Sequence, residues 1–286
     1  MSRPLRFLAP AHAPEQVPVP APRSWRVAPG RCAWSVGAML FAAAAAGVAA
    51  APAAAAASPA DAPAGDVAAI AARAQAAYFA GNAAQLTALS EQTIAWSKST
   101  QTAELYAHAY VQFRAEQLAL RAQRNDEAQR AGEACVAALD AAVRRDPKFA
   151  EAFALQSACY GYLANLGGFG AIRNGSRSGK AIEAALALAP ALPRVVLVDG
   201  FGLYFRPKFV GGDRGKGCER FARAAAAFDA EPAASAGAIG WGAAEAHYWS
   251  GRCAADAGDP ARARREYERA LALAPDFLAA KRRLAP

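Results

Sequence analysis

WGAAEAHYWSGRCAADAGDPARARREYERALALAPDFLAAKRRLAP, residues 241–286, reads as two helices joined at Gly258-Asp259-Pro260, with a short third helix after Pro275. Gly251, Ala263 and Ala270 are small residues within the helices, and Tyr267 is a bulky one that shares a face with Ala270. Asp259 is suited to cap a helix start, and Pro260 fits the first helical position, where its missing N–H costs nothing. Pro275 cannot continue a helix and forces a turn. Lys281, Arg282 and Arg283 suit the negative end of a last helix and the polar outer face of a terminal cap.

The same spacing recurs upstream. Leu139, Ile182 and Tyr267 each precede an alanine by three residues (Ala142, Ala185, Ala270) and a proline by eight (Pro147, Pro190, Pro275). Residues three apart share a helix face, so each bulky residue and its alanine point one way. A looser copy has Phe221 and Ala224 before Pro232, with three more residues ahead of the proline. Pro147, Pro190, Pro232 and Pro275 are then 43, 42 and 43 residues apart, a period that marks stacked repeats. Hydrophobic residues reach 55 %, largely as alanine, the best helix former; VVLV at 195–198 is the one strand-like run. The predicted class is all-α: a solenoid of antiparallel helix hairpins with a C-terminal capping helix. Helices are expected over 66–80 and 83–96, 102–122 and 127–146, 149–165 and 178–189, 192–205 and 213–230, 238–257 and 259–274, with the cap at 276–284.

These residues resemble a tetratricopeptide (TPR) repeat, whose unit is 34 residues; 242–275 has that length. The eight or nine extra residues of the earlier units are placed in Gly-rich loops at 166–176, 206–212 and 231–238. One departure is His247, where the motif has Trp; Trp249 lies two residues on. A longer helical-hairpin repeat of the Sel1 type is the competing family. PRVVLVDGFGLYF…GGD…WGAAEAHYW also resembles a group of exported TPR-like proteins. The resemblance implies a right-handed solenoid, usually serving protein–protein contact, with no catalytic residues and no cofactor. It also implies that the first helix of each pair lines a concave face. Carried onto this chain, that face exposes Glu151, Arg194, Phe201, Tyr204, Glu245, Tyr248 and Arg252 to a protein or peptide partner. The competing reading packs Phe201, Tyr204 and Tyr248 between helices.

Residues 1–31 are Pro-rich with scattered Arg, and 33–57 are apolar, ending in Ala55-Ala56-Ala57. Basic flank, apolar core and small-residue end describe a secretory signal with a long leader over 1–57, so the expected location is periplasmic or secreted. An uncleaved anchor is the alternative, because the run is long enough to span a bilayer; Pro52 and the weak apolarity of alanine count against it. Residues 58–65 read as a flexible linker and 66–286 as the repeat domain. Cys32 precedes the apolar core and lacks the context for lipid modification. Cys135 and Cys159 flank Pro147 symmetrically, and Cys218 and Cys253 nearly flank the turn at 231–240. In an oxidising compartment both pairs are candidate disulfides; otherwise each is a small buried residue.

Catalytic patterns are missing from the sequence. His108 and His247 stand alone, with no HExxH, GxSxG or CxxC nearby, and no metal site is expected. GGDRGK at 211–216 reads as a loop ending in the helix cap Asp213. The net charge of +8 includes a surplus of four in the leader; the body holds 27 basic and 23 acidic residues, too mild a balance for nucleic-acid binding. The expected function is a non-enzymatic exported scaffold for a protein or peptide. The alternative is a small-ligand-binding accessory component of a solute-uptake system, with a cavity under 166–176 and 206–212. Membrane contact is expected only through an uncleaved leader.

Overall fold

The computed structural model of the protein describes residues 66–231 and 239–285. All of these belong to the unit Ala55–Pro286. The expected signal, the linker and most of the 231–238 insertion lie outside the described residues.

Eleven α-helices follow one another among the described residues: α1 (Val67–Ala80), α2 (Ala83–Gln92), α3 (Thr102–Arg121), α4 (Asn125–Arg145), α5 (Ala150–Asn165), α6 (Gly170–Leu188), α7 (Pro193–Phe205), α8 (Arg214–Ala230), α9 (Ala243–Asp256), α10 (Pro260–Leu273) and α11 (Leu278–Leu284). No strand occurs among them. The VVLV run lies in α7, where Val195 through Val198 are all buried, so its apolarity reflects a helix surrounded by neighbours.

Local chemistry sets several helix starts. The carboxylate of Asp66 accepts from the Ala68 and Ala69 N–H groups at 3.1 and 3.0 Å. Asp213 accepts from Lys216 N–H at 3.0 Å, so GGDRGK is a capped turn. Asp259 accepts from Arg262 N–H at 2.9 Å, with Pro260 first in α10. Each cap contributes about 1 kcal/mol.

Helices pair as α3/α4, α5/α6, α7/α8 and α9/α10, and consecutive pairs stack in chain order. Gly251 shows why small residues recur: a Cβ there would meet the Tyr267 ring at 2.8 Å. The odd-numbered helices form the inner side, and that side closes. Phe79 of α1 lies against Phe277, just before α11, with ring centroids 4.2 Å apart. Phe277 also packs on Tyr248 at 5.0 Å. Trp241 Nε1 donates to Tyr106 Oη at 2.8 Å. Aromatic side chains thus fill the inner side.

Three boundaries differ from the sequence reading. The helix expected over 83–96 stops at Gln92, and a 3₁₀ turn, Ile94–Lys98, follows it. The 166–176 insertion is mostly helix: only Gly167 and Gly168 turn, at φ 81° and 66°, and α6 then runs from Gly170 through Gly175 and Gly179. Reciprocal bonds hold it to α5, with Ser157 Oγ donating to Ser178 O at 2.9 Å and Ser178 Oγ to Ser157 O at 2.8 Å. The last unit's first helix begins at Ala243, after Gly242 at φ 100°, rather than near 238.

Candidate functional site

None of the seven residues assigned to an exposed concave face is exposed. Glu245 is buried and pairs with Arg114 of α3, while Tyr248 is buried against Phe277 and Tyr267. Half-buried Glu151 lies 3.4 Å from buried Arg194, which also reaches Glu231 at 3.0 Å. Burial lifts the Glu151 carboxyl above its usual range, and Arg194 works against that rise. Phe201, Tyr204 and Arg252 meet around Trp249. The two rings lie 5.8 and 5.6 Å from its centroid, and the guanidinium lies 5.3 Å over it. Tyr204 is buried; Phe201 and Arg252 are half-buried. The expectation of exposure fails because the inner helices carry large aromatics that meet across the stack. Phe201, Tyr204 and Tyr248 follow the competing reading and pack between helices.

At the centre of this filled side is Arg114, 1 % exposed. Its Nε donates to Tyr110 Oη and its Nη1 to Gln117 Oε1, both at 2.9 Å; Nη2 donates to Glu245. The guanidinium lies 4.5 Å over the Tyr78 ring. Burial works against its charge, but Glu245 and the hydroxyls of Tyr110 and Tyr78 outweigh it, so the cation is held firmly protonated. Buried charge survives only when paired in this way. Sequence reasoning missed this residue. Its one signal was a charge inside AHAYVQFRAEQLAL, a run on α3 buried almost all round.

The cysteines join in two disulfides, Cys135–Cys159 with Cα atoms 6.4 Å apart and Cys218–Cys253 at 5.7 Å. They tie α4 to α5 and α8 to α9, each linking one hairpin to the next. His108 is buried with Nδ1 2.9 Å from Thr93 Oγ1, and burial lowers its pKa. His247 lies 2.8 Å from Glu266 and 3.5 Å from Asp229. No group of three His, Cys, Asp or Glu among the described residues is arranged to hold a metal.

The open surface lies outside. Helices α4 and α6 each pack on α5 but splay from one another, leaving a groove floored by α5. Its two connected parts, about 490 and 370 Å³, share Tyr160 and Arg177. The α4 wall supplies Glu133 and Asp140; the α6 wall supplies Arg173, Arg177 and Lys180. Val136, Phe153 and Leu163 add apolar surface, and Phe169 stands at one end. Arg177 sits 5.6 Å over the Tyr160 ring. Asp140 accepts from Gln156 Nε2 at 2.6 Å. Burial raises its carboxyl pKa, against the pull of Arg144 and Arg177. From residue 169 to 180 the α6 wall spans roughly 16 Å, the length of about five extended residues. Cys135–Cys159 fixes this wall and floor together, next to Val136.

A family model of the tetratricopeptide repeat matches residues 244–277, from the first turn of α9 to the turn before α11. Residues 244–277 thus form a tetratricopeptide repeat, and further helical hairpins precede that unit. No curated protein matches its sequence. Among solved structures, the fold is similar to the HusA haemophore from Porphyromonas gingivalis, at 20 % identity and a TM-score of 0.53, covering 65 % of this chain and 92 % of that one. A thermophilic TPR protein of Thermus thermophilus is similar at 17 % identity and a TM-score of 0.46, covering 70 % of this chain and 89 % of that one.

Among the described residues, no helix is long and apolar enough to cross a membrane.

Proposed function

We propose that this protein is an exported, non-catalytic binding protein that holds an extended segment of another protein in the groove between α4 and α6. The observation that carries the reading is the groove's polarity: an acidic wall faces a basic one across an aromatic and aliphatic floor. An extended peptide offers backbone groups and alternating side chains to such a surface. The TPR repeat supports a scaffold role, and the leader-like residues 1–57 and the two disulfides support export. Capture from periplasmic extract by the immobilised protein tests it. Wild type and Arg252→Ala should retain a partner that Arg177→Glu and Tyr160→Ala lose. Equal recovery by all four would remove the groove from the account.

A second reading is favoured by the larger part of the groove. Its volume of about 490 Å³ falls in the range of small-molecule sites, and the structural likeness to a haemophore points the same way. The lining contains no His, Cys or Met, so a small amphipathic anion would be held by packing on Tyr160 and Leu163 and by Arg173 and Arg177. Displacement of the captured protein by such a ligand would favour this second reading.

A further inference from the structure

Nine large apolar side chains are exposed among the described residues, and five of them lie at or next to two turns: Phe169 and Ile172 at the one between α5 and α6, and Phe205, Phe209 and Val210 at the one between α7 and α8. The two turns share one edge of the stack. Helices α5 and α7 both run toward it, since α6 returns antiparallel between them, so the turns that follow them emerge side by side. The adjoining turn is tied in through Arg214, which lies 3.7 Å from Asp256 at the end of α9.

This edge is held in place, and its apolar side chains protrude. Asp213 N–H donates to Leu203 O at 2.8 Å and Gly212 N–H to Pro207 O at 3.0 Å, closing the 3₁₀ turn Lys208–Val210 onto α7. Phe169 is 109 % exposed, Phe209 89 % and Ile172 88 %, so these side chains stand clear of every neighbour. Residues 166–177 and 205–216 carry six cations (Arg173, Arg177, Arg206, Lys208, Arg214, Lys216) and one acid, the helix cap Asp213. Asp256 and Asp259 on the adjoining turn are engaged, one by Arg214 and Tyr204 and the other as the cap of α10.

We propose that this edge docks on an anionic lipid surface, with the protruding apolar side chains entering the boundary between headgroups and acyl chains and the cations meeting the phosphates. Apolar tips flanked by Lys and Arg are the arrangement interfacial binding requires. Isolated protruding rings suit a soft surface, whereas a protein partner would need a pocket for each. Phe205 rests on Tyr204 and Trp249 at the base of this edge, while Phe169, Ile172 and Phe209 project beyond it. It adds a membrane contact that does not depend on the leader.

The test is sedimentation of the full chain with phosphatidylcholine vesicles, with and without about one quarter phosphatidylglycerol. The leader is common to every variant, so differences report the edge. Wild type should partition onto the anionic vesicles. Joint replacement of Lys208 and Lys216 by Ser should lower partitioning roughly thirtyfold, and Phe209→Ser with Val210→Ser roughly tenfold or more. Ile94→Ser, an exposed apolar residue on the opposite edge, should change nothing. These side chains are exposed, and an unchanged circular-dichroism melt confirms that each variant folds. Equal partitioning of wild type and edge variants, or indifference to phosphatidylglycerol, would overturn the proposal. So would an edge that captures an acidic protein while ignoring the vesicles.

Discussion

Arg114 and Arg177 each lie over a tyrosine ring, at 4.5 and 5.6 Å, and otherwise occupy opposite situations. Arg114 is sealed in the inner side, bonded to Tyr110, Gln117 and Glu245, and joins the third helix to the ninth. Arg177 is exposed on the outer groove, and no carboxylate among the described residues pairs with it. One arginine has spent its hydrogen bonds on the fold; the other stands at the surface over Tyr160. The contrast separates inner residues that hold the stack closed from outer residues free to bind.

The largest expected effect comes from breaking the inner pair. Glu245→Ala leaves a buried, uncompensated Arg114 and should cost about 3–5 kcal/mol in denaturant unfolding. Replacing both residues by Met should recover most of that loss, since apolar packing often matches a buried ion pair. Next comes the Cys135–Cys159 bridge. It closes a loop with a sequence separation of 24, and Cys135→Ala with Cys159→Ala should cost about 3 kcal/mol and loosen the groove wall. On the outer side the effects reverse. Arg177→Glu should leave stability within about 0.5 kcal/mol while abolishing partner capture, because an exposed substitution removes no packing.

A smaller, pH-dependent effect on stability sits on α3. Glu116 of α3 is fully buried with neither carboxylate oxygen bonded, and burial pushes its pKa well above the usual range. The folded state therefore holds this proton to higher pH than the unfolded chain. Its favourable contribution is complete below the unfolded pKa and is lost as pH rises toward the folded value. Glu116→Gln should remove that slope, gaining about 1 kcal/mol over wild type near neutral pH and little in acid, read from melts across pH.

How much of this was legible follows from the range of each interaction. The proline period, the Asp259 cap and Pro260 are local, and their residues announce them. The cysteine positions were legible because each pair flanks one turn between consecutive hairpins. Residues 166–176 were misread because their glycines suggest a loop. An exposed helical glycine costs only about 1 kcal/mol, and the Ser157–Ser178 bonds help hold α6 to α5. Closure of the inner side was beyond reach. It depends on Arg114 meeting Glu245 and Tyr106 meeting Trp241, partners 131 and 135 residues apart, brought together by the curvature of every intervening hairpin. The outer groove was hidden for a related reason, since it depends on the splay between α4 and α6.

Hydroxyl-radical footprinting of the native protein tests the division between a filled inner side and an available outer one most directly. Tyr106, Tyr110, Trp241 and Tyr248 should stay unmodified until the protein unfolds, while Phe169 and Phe209 react at once. Modification of Trp241 and Tyr248 in the folded protein, at rates matching Phe209, would mean the inner side is open and would contradict the account.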